Sequence, residues 1–221
     1  MLHTTFYMNN KIILFDMDGT LIDSTGAIHD GFTKAFKDNG DLLKLDYEHL
    51  NSLIGYPLDI MFERLGAPIN EIHKYIHSYK EEYRNIYLKK TSLIDSARQA
   101  VELASSFAKL GIVTTKTSLY SKILLKHLEI DKYFDVVIGR DDVINPKPDS
   151  EPILKAINAI NLKTNKVYMI GDTILDAKAA KAANVISIGL TCGYGSKDEL
   201  YKYCDYCYDL PIDAVLFTKE D

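Results

Sequence analysis

The hydrophobic positions of the chain fall into two patterns: short continuous apolar runs, and stripes that repeat every three or four residues. The first run, Ile12 to Phe15, is unbroken and leads directly into acidic residues. An apolar run without alternation is typical of a central strand that is covered on both faces. We therefore predict that residues 12–15 form a buried strand near the middle of a sheet.

From about residue 25 to residue 90 the apolar side chains recur at helical spacing, and no strand-like segment interrupts them. The stripes are Ile28, Phe32, Ala35 and Phe36; Leu58, Phe62 and Leu65; and Ile72, Ile76, Tyr79, Tyr83 and Tyr87. We predict that residues 25–90 form an inserted helical cap domain, and that residues 1–24 and 91–221 form the core. The four-residue spacing favours a helix core face over an aromatic ligand platform for the tyrosines. An insertion at this point suits a mobile lid.

The rest of the chain alternates between helices and strands. Predicted helices occupy 95–109, 119–128, 153–160 and 177–183, and predicted strands 112–116, 135–139, 166–172, 185–189 and, at an edge, 206–208. Gly111 is expected to end the first of these helices. Repeated strand–helix units predict an α/β fold with a doubly wound parallel sheet and a Rossmann-like core, which binds ligands at the carboxyl ends of its strands.

Composition narrows the function classes. The chain has 221 residues, 47% of them apolar, and a net charge of -5. The negative charge argues against nucleic-acid binding, which needs clustered Lys and Arg. No stretch approaches the roughly 20 apolar residues of a membrane span, and the first ten residues lack the features of a secretory signal. We expect a cytoplasmic protein, a monomer or homodimer, that has no membrane or nucleic-acid partner.

The three cysteines are Cys192, Cys204 and Cys207. They are too few and too unevenly spaced for a disulfide framework. The CxxC spacing of the last two lacks the second ligand pair that structural zinc requires. We expect ordinary buried thiols.

Two acidic residues follow the first strand directly. Asp16 and Asp18 lie two residues apart, and Gly19 then allows a tight turn. Two carboxylates so close together at a strand end repel each other unless they share a cation or a proton. The sequence therefore predicts a Mg²⁺ site.

The run Asp16 to Ser24, DMDGTLIDS, resembles the first motif of the haloacid dehalogenase superfamily in its phosphatase form, DxDGTLxDS. The resemblance implies that Asp16 is a nucleophile that becomes phosphorylated and that Asp18 is the general acid and base. Dehalogenases of the superfamily lack the second Asp, so Asp18 favours phosphoryl transfer. Receiver domains of signalling proteins also combine Asp, Thr and Lys around Mg²⁺. Their acid pair and phospho-acceptor lie on different strands, which makes that alternative weaker here.

The superfamily's remaining motifs are matched in order by Thr114, Lys147 and the Gly171-Asp172 pair. Thr114 can donate a hydroxyl hydrogen bond to a phosphate oxygen, with amides nearby adding more. Lys147 can neutralise the transferring phosphoryl oxygens. Asp172 is implied to complete the Mg²⁺ shell with Asp16 and the main-chain carbonyl of Asp18.

Two roles are possible for Asp176. The run Thr173 to Asp176 fits a capping box at a helix start. The same carboxylate is also in place to support the metal site. The sequence leaves both roles open.

Within the superfamily the chain is more similar to the phosphoglycolate phosphatase-like group. Three segments carry this likeness: IGYPL at 54–58, VTTK at 113–116, where that group often has VTNK, and LTCGYGSKDE at 190–199. The likeness implies a small phosphorylated metabolite as substrate, with phosphoglycolate first, and Thr115 as a further phosphate-binding residue. The sequence leaves two roles open for Arg64: a cap cation that pairs with a substrate carboxylate, or an ordinary exposed helix arginine.

Other activities of the superfamily stay open as alternatives: a β-phosphoglucomutase-like mutase, a pyrophosphatase or a nucleotidase. The mutase branch usually carries an Arg in the cap loop where this chain has Leu58, which weakens that alternative. The group's PG dipeptide at the return to the core is replaced by Thr91 to Ser96, so the hinge is not defined.

Overall fold

A computed structural model describes residues 10–40 and 45–221 of the chain. Residues 1–9, part of the segment for which we predicted no secretory signal, lie outside the described residues. The strands are β1 (Ile12–Phe15), β2 (Ile22–Asp23), β3 (Ser92–Leu93), β4 (Lys109–Val113), β5 (Val136–Ile138), β6 (Val167–Gly171), β7 (Ile186–Leu190) and β8 (Tyr206–Tyr208). The α-helices are α1 (Thr25–Asp38), α2 (Tyr47–Ser52), α3 (Leu58–Arg64), α4 (Ile72–Ile86), α5 (Ala97–Ser105), α6 (Ser118–His127), α7 (Glu151–Ile160), α8 (Ile174–Ala182), α9 (Lys197–Tyr203) and α10 (Pro211–Glu220). None of these helices is both long and apolar enough to cross a membrane.

Six of the described strands form one sheet in the order β5-β4-β1-β6-β7-β8, and each neighbouring pair is parallel. The predicted α/β fold is confirmed, with β1 inside the sheet and β8 at an edge. From β1 the chain builds one side of the sheet through β4 and β5 and then the other side from β6 onward. The carboxyl ends of β1, β4 and β6 therefore meet where the strand order reverses, which is the usual ligand position in such sheets.

The unbroken apolar run of β1 is explained by helices on both faces of the sheet. Ile13 and Phe15 point into a large apolar cluster that includes side chains of α1, α5 and α10. Ile12 and Leu14 point into a second cluster on the opposite face, with side chains of α7 and α8. Because successive side chains of a strand alternate between faces, a strand between two cores needs apolar residues at every position.

Helices α1 to α4, which we call the insertion helices, pack through an aromatic core. The Phe32 ring lies 4.5 Å from that of Phe62 and 5.0 Å from that of Tyr79. Tyr75, Tyr79, Tyr83 and Tyr87 are buried along α4 and at its end. The predicted core face is confirmed for the tyrosines, and Tyr75 belongs to it although the sequence pattern placed Ile76 there. The limits of the cap domain, residues 25 and 90, stay a prediction.

A two-stranded ribbon joins the insertion helices to the sheet. β2 and β3 pair in antiparallel fashion, with Ile22 opposite Leu93 and Asp23 opposite Ser92. The Ile94 amide extends the pairing by donating to the Leu21 carbonyl at 3.0 Å. The outgoing and returning chains therefore run side by side, which the sequence pattern did not indicate.

The prediction that Gly111 ends a helix is wrong. Helix α5 ends at Ser105, and Gly111 lies inside β4, between Leu14 of β1 and Val136 of β5. A Cβ at Gly111 would lie 2.8 Å from the Leu14 side chain and 2.9 Å from that of Val136. The glycine is thus explained by the close packing of its neighbours' side chains. The predicted strand 112–116 ends earlier, at Val113, so that residues 114–116 form a loop at the carboxyl edge.

Gly31 provides a test of the aromatic packing. Ala is normally about 1 kcal/mol better than Gly inside a helix, but a Cβ on Gly31 would lie 2.7 Å from the Tyr79 ring. Overpacking of a core costs about 1–3 kcal/mol. We therefore expect Gly31→Ala to lower the free energy of unfolding by roughly 1–2 kcal/mol in urea titrations.

Gly26→Ala is the matched control in the same helix. Its Cβ would meet nothing closer than 3.8 Å, so the propensity gain is realised and we expect equal or higher stability. If both variants stabilise the protein alike, the described contact between α1 and the Tyr79 ring is refuted.

Candidate active site

The carboxyl edge of the sheet brings together residues from five segments. Asp16 directly follows β1, Thr114 follows β4 and Asp172 follows β6, while Asp176 lies in the first turn of α8. Lys147 comes from the loop before α7. All five side chains belong to buried residues. The expectation that these motif residues converge at one edge is met by the geometry.

Three carboxylates form the centre of the site. Asp16, Asp172 and Asp176 each offer an oxygen, and these oxygens all lie within 4.8 Å of one another. The Lys147 Nζ lies 2.9 Å from Asp16 Oδ1 and 2.6 Å from Asp176 Oδ1. It also donates a hydrogen bond to the Val113 carbonyl at 3.0 Å. One ammonium thus pairs with two of the three buried carboxylates.

The pKa shifts follow from this crowding. Burial, together with the charges of Asp176 and Asp18, raises the pKa of Asp16 to about 7, although Lys147 opposes the shift. Burial also raises the pKa of Asp172, and the neighbouring Asp16 and Asp176 carboxylates add to the effect. Burial alone would lower the pKa of Lys147, but Asp16 and Asp176 raise it above its ordinary value. Lys147 is therefore held in its charged form, but its single positive charge does not balance the negative charges of three carboxylates.

This donor set fits a divalent metal ion. Metal ligation requires ionised carboxylates, and when all three are ionised the one ammonium leaves two negative charges uncompensated. Carboxylate oxygens are preferred ligands of hard divalent cations. Asp172 is oriented by two hydrogen bonds, from the Thr20 hydroxyl at 3.1 Å and from the Tyr194 amide at 2.8 Å. Burying such a cluster in its ionised form costs free energy unless a cation compensates the charge.

Asp176 has further hydrogen-bond partners. Its Oδ2 accepts hydrogen bonds from the Thr173 amide at 3.1 Å and from the Thr173 hydroxyl at 2.7 Å. The predicted capping box is present at the start of α8. Because Oδ1 already pairs with Lys147, Asp176 holds both the helix start and the lysine. Its role as a metal ligand stays a prediction.

Asp18 lies apart from the three carboxylates and has its own cation. The Lys116 Nζ is 3.2 Å from Asp18 Oδ2 and donates to the Tyr83 hydroxyl at 2.8 Å. Ser24 Oγ donates to Asp18 Oδ1. Sequence reasoning assigned no role to Lys116; its place directly after Thr115 in the loop that follows β4 was the available signal.

The two threonines of this loop differ in exposure. Thr114 is buried, and its hydroxyl oxygen accepts a hydrogen bond from the Lys116 amide at 3.2 Å. That bond uses a lone pair and leaves the hydroxyl hydrogen to donate. Thr115 is half-buried and lines the adjoining cavity. Both positions are compatible with contacts to a phosphate group.

A cavity of about 430 Å³ lies beside Asp18, between the insertion helices and the loop after β4. Its wall is mostly apolar and includes Phe32, Tyr79 and Tyr83, so the tyrosine row is both core and cavity wall. Lys80 and Arg140 also line it. Pockets of this size take small organic ligands.

Arg64 is not brought to this cavity. It is exposed at the end of α3, and its guanidinium lies 4.2 Å from the centroid of the Tyr56 ring, which does line the cavity. The predicted pairing of Arg64 with a substrate carboxylate stays a prediction. Lys80 and Arg140 line the cavity together with Lys116, and sequence reasoning missed all three. Nothing in the local sequence of Lys80 or Arg140 marks them.

Comparisons with known proteins extend over most of the chain. A family model for haloacid dehalogenase-like hydrolases matches residues 13–190. A phosphoglycolate phosphatase from Photorhabdus laumondii is 32% identical over 191 residues, which cover 83% of this chain and 81% of the relative. A pyrophosphatase PpaX from Halalkalibacterium halodurans is 31% identical over 215 residues, 97% of this chain and 95% of the relative. Among solved structures, a haloacid dehalogenase-like family hydrolase from Streptococcus pneumoniae matches with a TM-score of 0.85 at 28% identity, over 95% of this chain and 98% of that one.

The charge balance of the site predicts a pH-dependent stability for metal-free protein. The pKa of Asp16 is about 7 in the folded state against an ordinary value of 3.8. Between these values the folded protein binds more protons than the unfolded one, so stability falls as the pH rises. Lys147→Met removes the ammonium, and we expect it to cost about 3–5 kcal/mol at pH 8 and clearly less at pH 5.5. Urea unfolding in the presence of a chelator measures both.

Lys90→Met serves as the control, because Lys90 forms an exposed ion pair with Asp30. Removing an exposed pair costs at most about 1 kcal/mol, with no comparable change between the two pH values. An equal loss for Lys147→Met at pH 5.5 and pH 8 would show that the buried carboxylates are not the cause.

Proposed function

The chain belongs to the haloacid dehalogenase-like hydrolase family, and from this premise we propose that it is a Mg²⁺-dependent phosphatase that hydrolyses a small phosphomonoester through an aspartyl phosphate on Asp16. The observation that carries the proposal is the buried cluster of three carboxylates, two of them paired with Lys147, together with Asp18 in the lining of the adjoining cavity. A carboxylate nucleophile needs a charge-compensated, water-poor site, and a separate acid must serve the leaving group.

In the first step Asp16 attacks phosphorus, and the bond between phosphorus and the ester oxygen breaks. Asp18 donates a proton to the departing alkoxide. In the second step Asp18 takes a proton from a water molecule that attacks the phosphoaspartate, and phosphate leaves. Splitting the displacement in two lowers each barrier. Lys147, fixed by Asp176 and the Val113 carbonyl, neutralises phosphoryl oxygens, and the Thr114 hydroxyl donates to one of them.

Asp16, the main-chain carbonyl of Asp18 and Asp172 would hold Mg²⁺, with Asp176 in support. When bound, the ion would supply positive charge that balances the negative charges of the ligating carboxylates and of the phosphoryl oxygens. The support for this set is the excess of two negative charges in the buried site, together with the two hydrogen bonds that orient Asp172.

Phosphoglycolate is the first candidate substrate, because the Photorhabdus laumondii relative bears that activity in its name. Its carboxylate would need a cation, and Lys80 and Arg140 line the cavity beside Asp18. Pyrophosphate is the second candidate, from the PpaX relative. We further propose that the protein acts on small metabolites in the cytoplasm as a monomer or homodimer.

Two neighbouring carboxylates test the mechanism. Asp16→Asn removes the nucleophile, and we expect no turnover of phosphoglycolate, other alkyl phosphates, pyrophosphate or an aryl phosphate. Asp18→Asn removes the acid, and we expect kcat for alkyl phosphates to fall by roughly 10²–10⁴-fold. An aryl leaving group departs with little protonation, so its loss is smaller. Phosphate release across this panel, with circular dichroism to verify the fold, is the measurement. Near wild-type turnover by Asp16→Asn excludes the proposal.

Mg²⁺ binding is tested without turnover. Mg²⁺ at about 100 times its Kd adds about 2.7 kcal/mol to the free energy of unfolding, which raises Tm by roughly 5–10 °C in a protein of this size. We expect this rise in wild-type protein and its loss in Asp172→Asn, measured by thermal unfolding with Mg²⁺ and with chelator. Asp198→Asn, an exposed change on α9, should keep the full rise. A full rise in Asp172→Asn would remove Asp172 from the ligand set.

A further inference from the structure

The loop between β7 and α9, residues 191–196, packs directly against the carboxylate cluster. Gly193 and Gly195 come so close to Asp172 that a Cβ at either position would collide with its side chain or its carbonyl. Between them, the Tyr194 amide donates to Asp172 Oδ2 at 2.8 Å. The Gly-Tyr-Gly sequence is thus explained by close backbone approach to a proposed metal ligand.

The side chain of Tyr194 reaches away from the cluster to a different segment. Its ring packs over Gly19, where a Cβ would lie 2.7 Å from Tyr194 Cδ2. Its hydroxyl accepts from the Ser24 amide at 3.3 Å, donates to Asp23 Oδ1 at 3.2 Å and lies 3.1 Å from Thr25 Oγ1. These three residues span the end of β2 and the first residue of α1, and we call them the linker.

The linker in turn touches the proposed general acid. Ser24 is fully buried, and its hydroxyl donates to Asp18 Oδ1. The Thr25 amide donates to Asp23 Oδ1 at 2.9 Å, the same oxygen that accepts from the Tyr194 hydroxyl. A path of hydrogen bonds, joined through the covalent structure of Tyr194 and Ser24, therefore runs from Asp172 to the linker and on to Asp18.

We propose that Tyr194 is a positioning residue that couples the carboxylate cluster to the linker, so that an ion held by Asp172 orders the start of α1 and the Asp18 side chain. The backbone amide forms one end of the coupling and the hydroxyl the other. A residue that only fills space would need the ring alone, whereas this hydroxyl contacts three linker residues. The inference rests on the proposed function in the metal site and in the acid role of Asp18.

Hydrogen exchange tests the coupling without catalysis. In wild-type protein we expect Mg²⁺ to slow amide exchange at Ser24 and Thr25, because added order at one end of a hydrogen-bond path raises protection at the other. In Tyr194→Phe the hydrogen bond from the backbone amide of residue 194 to Asp172 remains, so Mg²⁺ still raises Tm. Mg²⁺ no longer slows exchange of the linker amides, because the hydroxyl is gone. Tyr201→Phe, at a tyrosine that is 64% exposed, should behave as wild type. Equal slowing of linker exchange by Mg²⁺ in Tyr194→Phe and wild type overturns the proposal.

The kinetic arm separates positioning from a general loss of structure. With the best alkyl phosphate of the panel we expect Tyr194→Phe to lower kcat roughly tenfold, which corresponds to about 1.4 kcal/mol, with KM little changed. The loss with an aryl phosphate should be smaller, since Asp18 matters less there. Equal losses on both substrates contradict the path through Asp18. If wild-type protein releases no phosphate at all, the proposed function fails, while the exchange experiment still decides the coupling.

Thr25→Val provides a second variant should Tyr194→Phe not fold. It keeps the shape of the side chain and removes the hydroxyl that lies beside Tyr194 and Asp23. We expect a partial loss of the Mg²⁺ effect on the Ser24 amide, with the rise in Tm retained. A linker response equal to that of wild type in this variant also contradicts the proposal.

Discussion

The central constraint on the structure is the burial of three carboxylates, two of them paired with one ammonium, at the point where the strand order reverses. Asp16 and Asp172 come from the ends of neighbouring parallel strands, and Asp176 comes from the helix that follows. Such a cluster is unfavourable unless its charges are compensated. Several surrounding groups supply this compensation. Lys147, from a separate loop, pairs with Asp16. The Thr173 and Thr20 hydroxyls and the Tyr194 amide, which lies between two glycines, donate hydrogen bonds to Asp176 and Asp172.

The sequence predicted correctly those features for which the residues that form the structural element also carry the pattern that indicates it. The apolar run before Asp16 predicted a central strand because both faces of that strand are covered by helices. The motif residues were placed correctly at one edge because parallel strands put their carboxyl ends together. The capping box at Thr173 and Asp176 was readable because both partners lie within one helical turn.

What the sequence did not predict depends on contacts between distant segments. Gly111 has the appearance of a helix stop, and only the side chains of Leu14 and Val136 on the flanking strands show why a strand needs glycine there. Lys116 acquires a function only when Asp18, almost 100 residues earlier, is seen beside it. Tyr194 connects two segments that are remote in sequence. Local periodicity carries no information about such pairs.

The antiparallel ribbon of β2 and β3 has a consequence for how such proteins diversify. Because the chain leaves and re-enters the sheet at adjacent, hydrogen-bonded residues, the intervening segment can change in length or sequence without moving the ends of β1 or α5. Insertions are tolerated best where the two attachment points lie close together. The ribbon is therefore a position at which one inserted segment can be exchanged for another, by recombination or by design, without a change to the cluster of three carboxylates.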